Sequence, residues 1–198
     1  MRIEEKFPFE IKDERKEIEK WKTEDIEGMT IAGKTFAERL EETKGLSDIF
    51  ELVKRGVRKV LGYGRAGLNL GLMDLGAPQG GFIGAFYPVG SNIIVMNKTP
   101  LRRIRETNPI LYKPYCFHVL LHEYVHSLGM TDEQITRKMA YEISHKLFGK
   151  NHIATKMAKN IIKYLPNLIY PDASWTPPTM GPLELVENFD RSNIKYYS

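Results

Sequence analysis

Between Pro114 and Gly129 the chain reads as a buried helix, and that helix constrains everything around it. Proline suits a first turn, where its missing N–H costs nothing, and glycine suits the left-handed residue that stops a helix. Between them Phe117, Leu120, Leu121, Tyr124 and Leu128 step by three and four, so they share one stripe. The spacing predicts about four turns, ending one residue past Leu128, with the stripe in a core. His122 and His126 lie four apart and project together from a face distinct from that stripe.

The five residues His122-Glu123-Tyr124-Val125-His126 read H-E-x-x-H. Two imidazoles at that spacing can reach one zinc ion, and Glu123, one step round the helix, can take a proton from a water held there. A catalytic zinc needs three protein ligands and an open fourth position, and the third ligand is commonly a carboxylate. After Gly129 the chain turns back and acids follow at once, so Asp132 and Glu133 both stand where that ligand is needed. Thr131 with Gln134 three residues on reads as a capping box, which places both acids in the first turn of the next helix. There either could simply complement the helix dipole.

HExxH, two further residues, a glycine and then an acid resembles the zincin metallopeptidases, and the resemblance covers residues 115 to 133. A third ligand three residues after the glycine, usually His and in some members Asp, is the metzincin arrangement and would be Asp132. A glutamate four residues after it, HExxHxxGxxxE, resembles the minimal zincin domains of prokaryotes and would be Glu133. The longer side chain of Glu133 reaches back across the turn more readily, and Asp132 stays open as the alternative. The metzincin methionine turn has one counterpart, Met180 in Pro178-Thr179-Met180-Gly181, but its surrounding pattern is missing, which favours a minimal zincin.

The resemblance implies an α+β, zincin-like fold: a small mixed β-sheet with an antiparallel edge hairpin, packed on the active-site helix and backing helices. It implies one zinc ion held by His122, His126 and Glu133 or Asp132, with Glu123 as general base in the hydrolysis of a peptide or protein substrate. It also implies that the edge strand Phe82, Ile83, Gly84, Ala85, Phe86 binds an extended peptide through its main chain.

The remaining pattern supplies the other elements. Ser47 is a candidate cap for a helix carrying Phe50, Val53, Val57 and Val60 and ending at Gly62. Gly62-Tyr63-Gly64-Arg65-Ala66-Gly67 matches G-x-G-x-x-G, but it follows a helix and precedes a strand, the reverse of a nucleotide site, so its glycines are turn residues. Leu68, Leu70 and Leu72 alternate as on a strand. Gly81–Tyr87 and Asn92–Asn97 form a hairpin around Pro88-Val89-Gly90-Ser91, with the apolar run Ile93–Met96 central and the glycine-spotted run at the edge. A backing helix carries Ile135, Met139, Ile143 and Leu147 as far as Gly149, and another runs from Asn151 with Ile153, Met157, Ile161 and Leu165 inward. Tyr141 is free to face the cleft; His145 and His152 belong at the surface. His118 lies roughly 12 Å along the axis from His126, too far to share its ion.

At 198 residues the chain suits one domain, with a charged extension over 1–45 packed on or over the core, a catalytic region over 46–165 and a proline-rich tail over 166–198. Within those ends, Phe7, Phe9 and Ile11 suggest a strand, Ile18 and Trp21 a helix, and Leu183–Phe189 a further short helix. The single cysteine, Cys116, excludes internal disulfides. With no signal-like start and no long apolar run, the expectation is a cytoplasmic protein without a membrane partner. Lys98, Arg102, Arg103 and Arg105 cluster, but without interleaved aromatics, and a net charge of +4 does not require nucleic acid. Two other readings stay open at this point: a zinc-binding structural or regulatory module without turnover, and a basic protein associated with nucleic acid.

Overall fold

A computed structural model describes residues 28–76, 83–165 and 181–191. Phe7, Phe9, Ile11, Ile18, Trp21, Phe82, Met180 and the proline run over 166–178 lie outside the described residues. The fold is mixed α+β. A short hairpin, β1 (Thr30–Ile31) and β2 (Lys34–Thr35), leads into α1 (Phe36–Glu41), whose N-terminus is held by a reciprocal capping box between Thr35 and Glu38. Phe36 and Leu40 are fully buried, so residues before 46 contribute to the same core as those after it.

The next helix, α2 (Leu46–Leu61), buries Ile49, Phe50, Val53 and Val57 and stops at Gly62, whose φ of 81° is the left-handed conformation expected there. Its start differs from expectation. Gly45 occupies the cap position, while the Ser47 hydroxyl donates to the Glu187 carbonyl at 3.2 Å, because the C-terminal segment lies across the beginning of this helix.

The main sheet has the order β4-β5-β3-β6. Strands β3 (Asn69–Met73) and β5 (Ile93–Asn97) are parallel; β4 (Ala85–Phe86) is antiparallel on the outside of β5. The apolar run is therefore central and the glycine-spotted run an edge, as the composition of each predicts. On the opposite edge, β6 (Glu184–Leu185) pairs antiparallel with β3. This corrects the short helix expected over Leu183–Phe189: local pattern favoured a helix, but the unpaired side of β3 offers backbone partners, and Val186 N–H donates to Leu70 O at 2.9 Å.

After β5 the chain forms α3 (Lys98–Thr107), capped by the buried Asn97. That amide is fully satisfied: its oxygen accepts from Leu75 N and Thr99 N, and its nitrogen donates to the Gly76 and Ile83 carbonyls. The basic residues of α3 are engaged locally, with Lys98 on Glu184 at 2.7 Å, Arg102 on Asp74 at 3.0 Å and Arg105 4.4 Å from the ring centre of Tyr112.

After a 3-10 turn at Pro109–Leu111 comes α4 (Tyr112–Ser127), followed by α5 (Glu133–Phe148), α6 (Ile153–Lys159) and α7 (Ile161–Tyr164). The single helix expected from Asn151 to Leu165 is broken at Asn160, which leaves helical conformation and turns its side chain to cap Lys163 N–H. Among the described residues no helix is long and apolar enough to cross a membrane.

The cover on α4 exceeds the one predicted stripe. From Pro114 to Ser127 every residue is buried except His118, His122 and His126. Helices α2, α5 and α6 and strands β4 and β5 surround it, and a helix so enclosed must be apolar nearly all round. Tyr124 fixes its rotation: the hydroxyl accepts from Arg65 N–H at 2.7 Å and donates to Arg65 O at 2.8 Å. A Cβ on Gly64 would come within 2.9 Å of that hydroxyl, which accounts for one glycine of the Gly62–Gly67 loop.

One buried ion pair joins segments far apart in sequence. The Lys54 ammonium contacts the Asp190 carboxylate, whose second oxygen accepts from Leu68 N–H at 2.9 Å. Removing one partner of such a pair leaves an uncompensated buried charge. Asp190→Ala is expected to lower unfolding stability by about 3 kcal/mol, measurable by urea titration, with Glu51 at 3.6 Å from Lys54 limiting the loss.

Candidate metal centre

The three half-buried histidines line a seam that opens into a cleft of about 750 Å³. One wall is the edge strand, with Gly84, Ala85, Phe86 and Tyr87; another is the break between α6 and α7. His122 and His126, on successive turns, bring their Nε2 atoms to 3.2 Å. Glu133, the first residue of α5, places Oε2 3.3 Å from His122 Nε2 and 3.1 Å from His126 Nε2. These three residues form the cluster able to hold a metal among the described residues.

The edges of this triangle match a tetrahedral site. Bonds of 2.0–2.1 Å to nitrogen and oxygen put neighbouring ligand atoms roughly 3.3 Å apart. The chemistry of the donors agrees. His126 Nδ1 lies 2.6 Å from the Met130 carbonyl, which can only accept, so Nδ1–H must donate and the neutral ring has a lone pair at Nε2. That lone pair faces a carboxylate oxygen, also an acceptor. Burial lowers the pKa of His122 against the pull of Glu133, which favours the neutral ligand form there too. Acceptors directed at one another in this way are stabilised by a cation between them, and the residues present fit zinc.

Asp132 is not in the cluster. Its side chain accepts from Ile135 N–H at 2.9 Å as the N-cap of α5, with φ −74° and ψ 122°. The capping box expected from Thr131 and Gln134 is absent, replaced by a one-way cap from the next residue, Asp132, whose N3 partner Ile135 has no polar side chain to reciprocate. Asp132 takes the cap because the chain leaves Gly129, at φ 102°, one residue further before helical conformation begins. Glu133 is thereby swung toward the histidines.

Glu123 is only 6% exposed, and burial pushes its carboxyl up to about 7. His126 works in the opposite direction, Glu133 in the same one, and a backbone hydrogen bond from Tyr87 favours the ionised form. Burial likewise drives His118 down to about 3, and its Nδ1 has no hydrogen-bond partner. It lines the cleft but stays outside the cluster, as its axial distance from His126 predicts. Of the expected edge-strand residues, Gly84, Ala85 and Phe86 border the cleft; Ile83 is 39% exposed with its carbonyl bound to Asn97. Tyr141 stacks on His145, and His152 stacks on Phe148 while capping α6.

Compared with known protein families, curated proteins and solved structures, the chain matches none. The metal reading rests on His122, Glu123, His126, Gly129 and Glu133 themselves. Sequence reasoning missed Tyr87, Thr136 and Arg137. Thr136, whose hydroxyl donates to the Met130 carbonyl at 3.3 Å, and Arg137, 2.8 Å from Glu133, both sit one turn beyond Glu133, a helical spacing that could have flagged them. Nothing local marks the backbone of Tyr87.

The raised carboxyl has a signed consequence for the stability of the metal-free protein. Between the unfolded pKa near 4.5 and the folded value of about 7, the native state binds the extra proton, so stability contributed by protonated Glu123 is lost as pH rises through that window. Urea titrations of wild type and Glu123→Gln are expected to diverge by roughly 3 kcal/mol in favour of the variant between about pH 4 and pH 8. Parallel stability curves would show that Glu123 is solvated.

Proposed function

We propose that the protein is a zinc-dependent peptidase. The observation that carries this reading is the convergence of His122 Nε2, His126 Nε2 and Glu133 Oε2, three lone-pair atoms at 3.1 to 3.3 Å, beside a buried glutamate on an open cleft. When bound there, zinc supplies Lewis acidity toward a carbonyl oxygen and toward water.

The chain's own residues do the rest. His122 and His126 offer their Nε2 nitrogens, and Glu133 offers a carboxylate oxygen. Glu123, titrating at about 7 without a metal, is poised to accept a proton from attacking water and return it to the leaving amine. The backbone of Tyr87, the residue after the strand bordering the cleft, favours the ionised form of that carboxyl. A cation nearby would favour the ionised carboxylate, the form a base requires.

Strand β4 pairs with β5 on one side, and its other side borders the cleft, a geometry suited to an extended peptide adding as a further strand. Phe86, Val89 and Ile162 are exposed to 40%, 80% and 53% although large and apolar, and all three line the cleft. Apolar surface gathered at one place marks a binding face. The substrate class this supports is an extended segment with apolar side chains beside the scissile bond.

Wild type should copurify with, or take up, about one zinc per chain and cleave an unfolded apolar-rich protein. Glu123→Gln should keep the zinc and lose activity on the order of 10³-fold, the range for a general base. Mass spectrometry of the metal and of the cleaved peptides reads both. Equal cleavage by the two proteins would remove Glu123 from the reaction; zinc binding without cleavage in either would fit a silent binding module.

A further inference from the structure

Glu133 has a feature that metal binding alone does not require. Its side chain is half exposed, and an exposed glutamate samples many rotamers, yet this one has Oε1 tied to a donor, which aims Oε2 at the histidines. Oε2 faces the two histidines, while Oε1 accepts from Arg137 Nε at 2.8 Å. Glu133 and Arg137 are four residues apart on α5, in the order that suits such pairs. Arg137 is itself 70% exposed, so the pair adds little to the stability of the fold. Its consequence is orientational.

We propose that Arg137 is a positioning residue for the metal centre: by engaging Oε1 it leaves Glu133 a single oxygen to offer, which keeps the carboxylate monodentate and a coordination position free. This rests on the reading of His122, His126 and Glu133 as metal ligands. Without the guanidinium, a carboxylate can turn to offer both oxygens to a cation, filling the position the substrate or water needs, or can rotate away and offer neither. Lysine at 137 would keep the charge but lack the planar nitrogen, and glutamine would keep a donor without the charge.

The test uses the full-length chain with Zn²⁺ and Co²⁺ as probes and needs no substrate. Zinc affinity is read by competition with a chromophoric chelator, and coordination by the visible absorption of the cobalt form. Arg137→Met is expected to weaken zinc binding about 10- to 100-fold, the usual cost of losing a partner that orients a ligand, and to change the cobalt spectrum. Arg137→Gln is expected to recover most of the affinity and the wild-type spectrum, because direction rather than charge matters. Thermal unfolding of the metal-free variants should match wild type, given the exposure of residue 137. Wild-type metal binding with an unchanged affinity and spectrum in Arg137→Met overturns the proposal alone. Failure of wild type to bind either ion overturns the metal reading and the proposal with it.

Discussion

Three histidines are the only residues between Pro114 and Ser127 that the core covers incompletely, and the elements around α4 are placed by the need to cover the rest. Helix α2 packs on the Tyr124 side, with Phe50 edge-on to that ring at 5.5 Å, and α5 and α6 close the others. The hydroxyl of Tyr124, bonded to both backbone groups of Arg65, sets the helix's rotation, and so decides which line of residues meets the cleft. The Arg65 guanidinium extends the same tie to Ser127 O at the end of α4 and to Ser91 O in the β4–β5 hairpin. Helix and edge hairpin are thereby joined through one side chain, and both border the cleft.

That enclosure produces the electrostatics of the site. Removing water from around a helix raises the cost of any charge on it, so Glu123 is pushed up and His118 and His122 down by one cause acting on groups of opposite sign. A carboxyl near neutrality and unprotonated imidazoles are what a metal-assisted hydrolysis needs at ordinary pH. The same burial works against the fold, since an ionised Glu123 and a His118 nitrogen without a partner both sit in poor solvent. Strain of that kind is borne at a site and offset elsewhere, here by the aromatic and aliphatic contacts of Phe50, Phe117, Phe148 and their neighbours.

The parts legible in the sequence are those written at short range. The α4 helix, its glycine stop, the stripe of α5 and the central and edge strands follow from periodicity and turn residues, because each is decided within a few positions. The features that were not legible depend on a distant partner. Leu183–Phe189 carries a plausible helical pattern, but β3 has a free side only in the assembled sheet, and the segment becomes β6. Asp190, an ordinary tail acid by sequence, is buried against Lys54 and Leu68 N–H. Ser47 lost its expected role to a neighbouring segment, and the break at Asn160 trades helical continuity for a new cap. Among the site residues, the HExxH set is local, whereas Tyr87 reaches Glu123 through its backbone and leaves no mark in the residue type.

The choice between two adjacent acids illustrates how one residue of phase separates structure from chemistry. Asp132 and Glu133 are chemically alike, and each suits a first helical turn. A cap must have non-helical backbone and a short side chain that bends back on its own helix, and Asp132 has both, at ψ 122° with its carboxylate on Ile135 N–H. A group that spans the turn to another helix needs the extra methylene and must already be on the helix, pointing a fixed way. Glu133 satisfies this as the first residue of α5, with Arg137 one turn on to hold it. Exchanging the two acids would leave composition and charge unchanged while removing both arrangements: a glutamate caps poorly at 132, and an aspartate at 133 stops short of the imidazoles. The pair is therefore ordered by reach, and the glycine at 129 sets where the order begins.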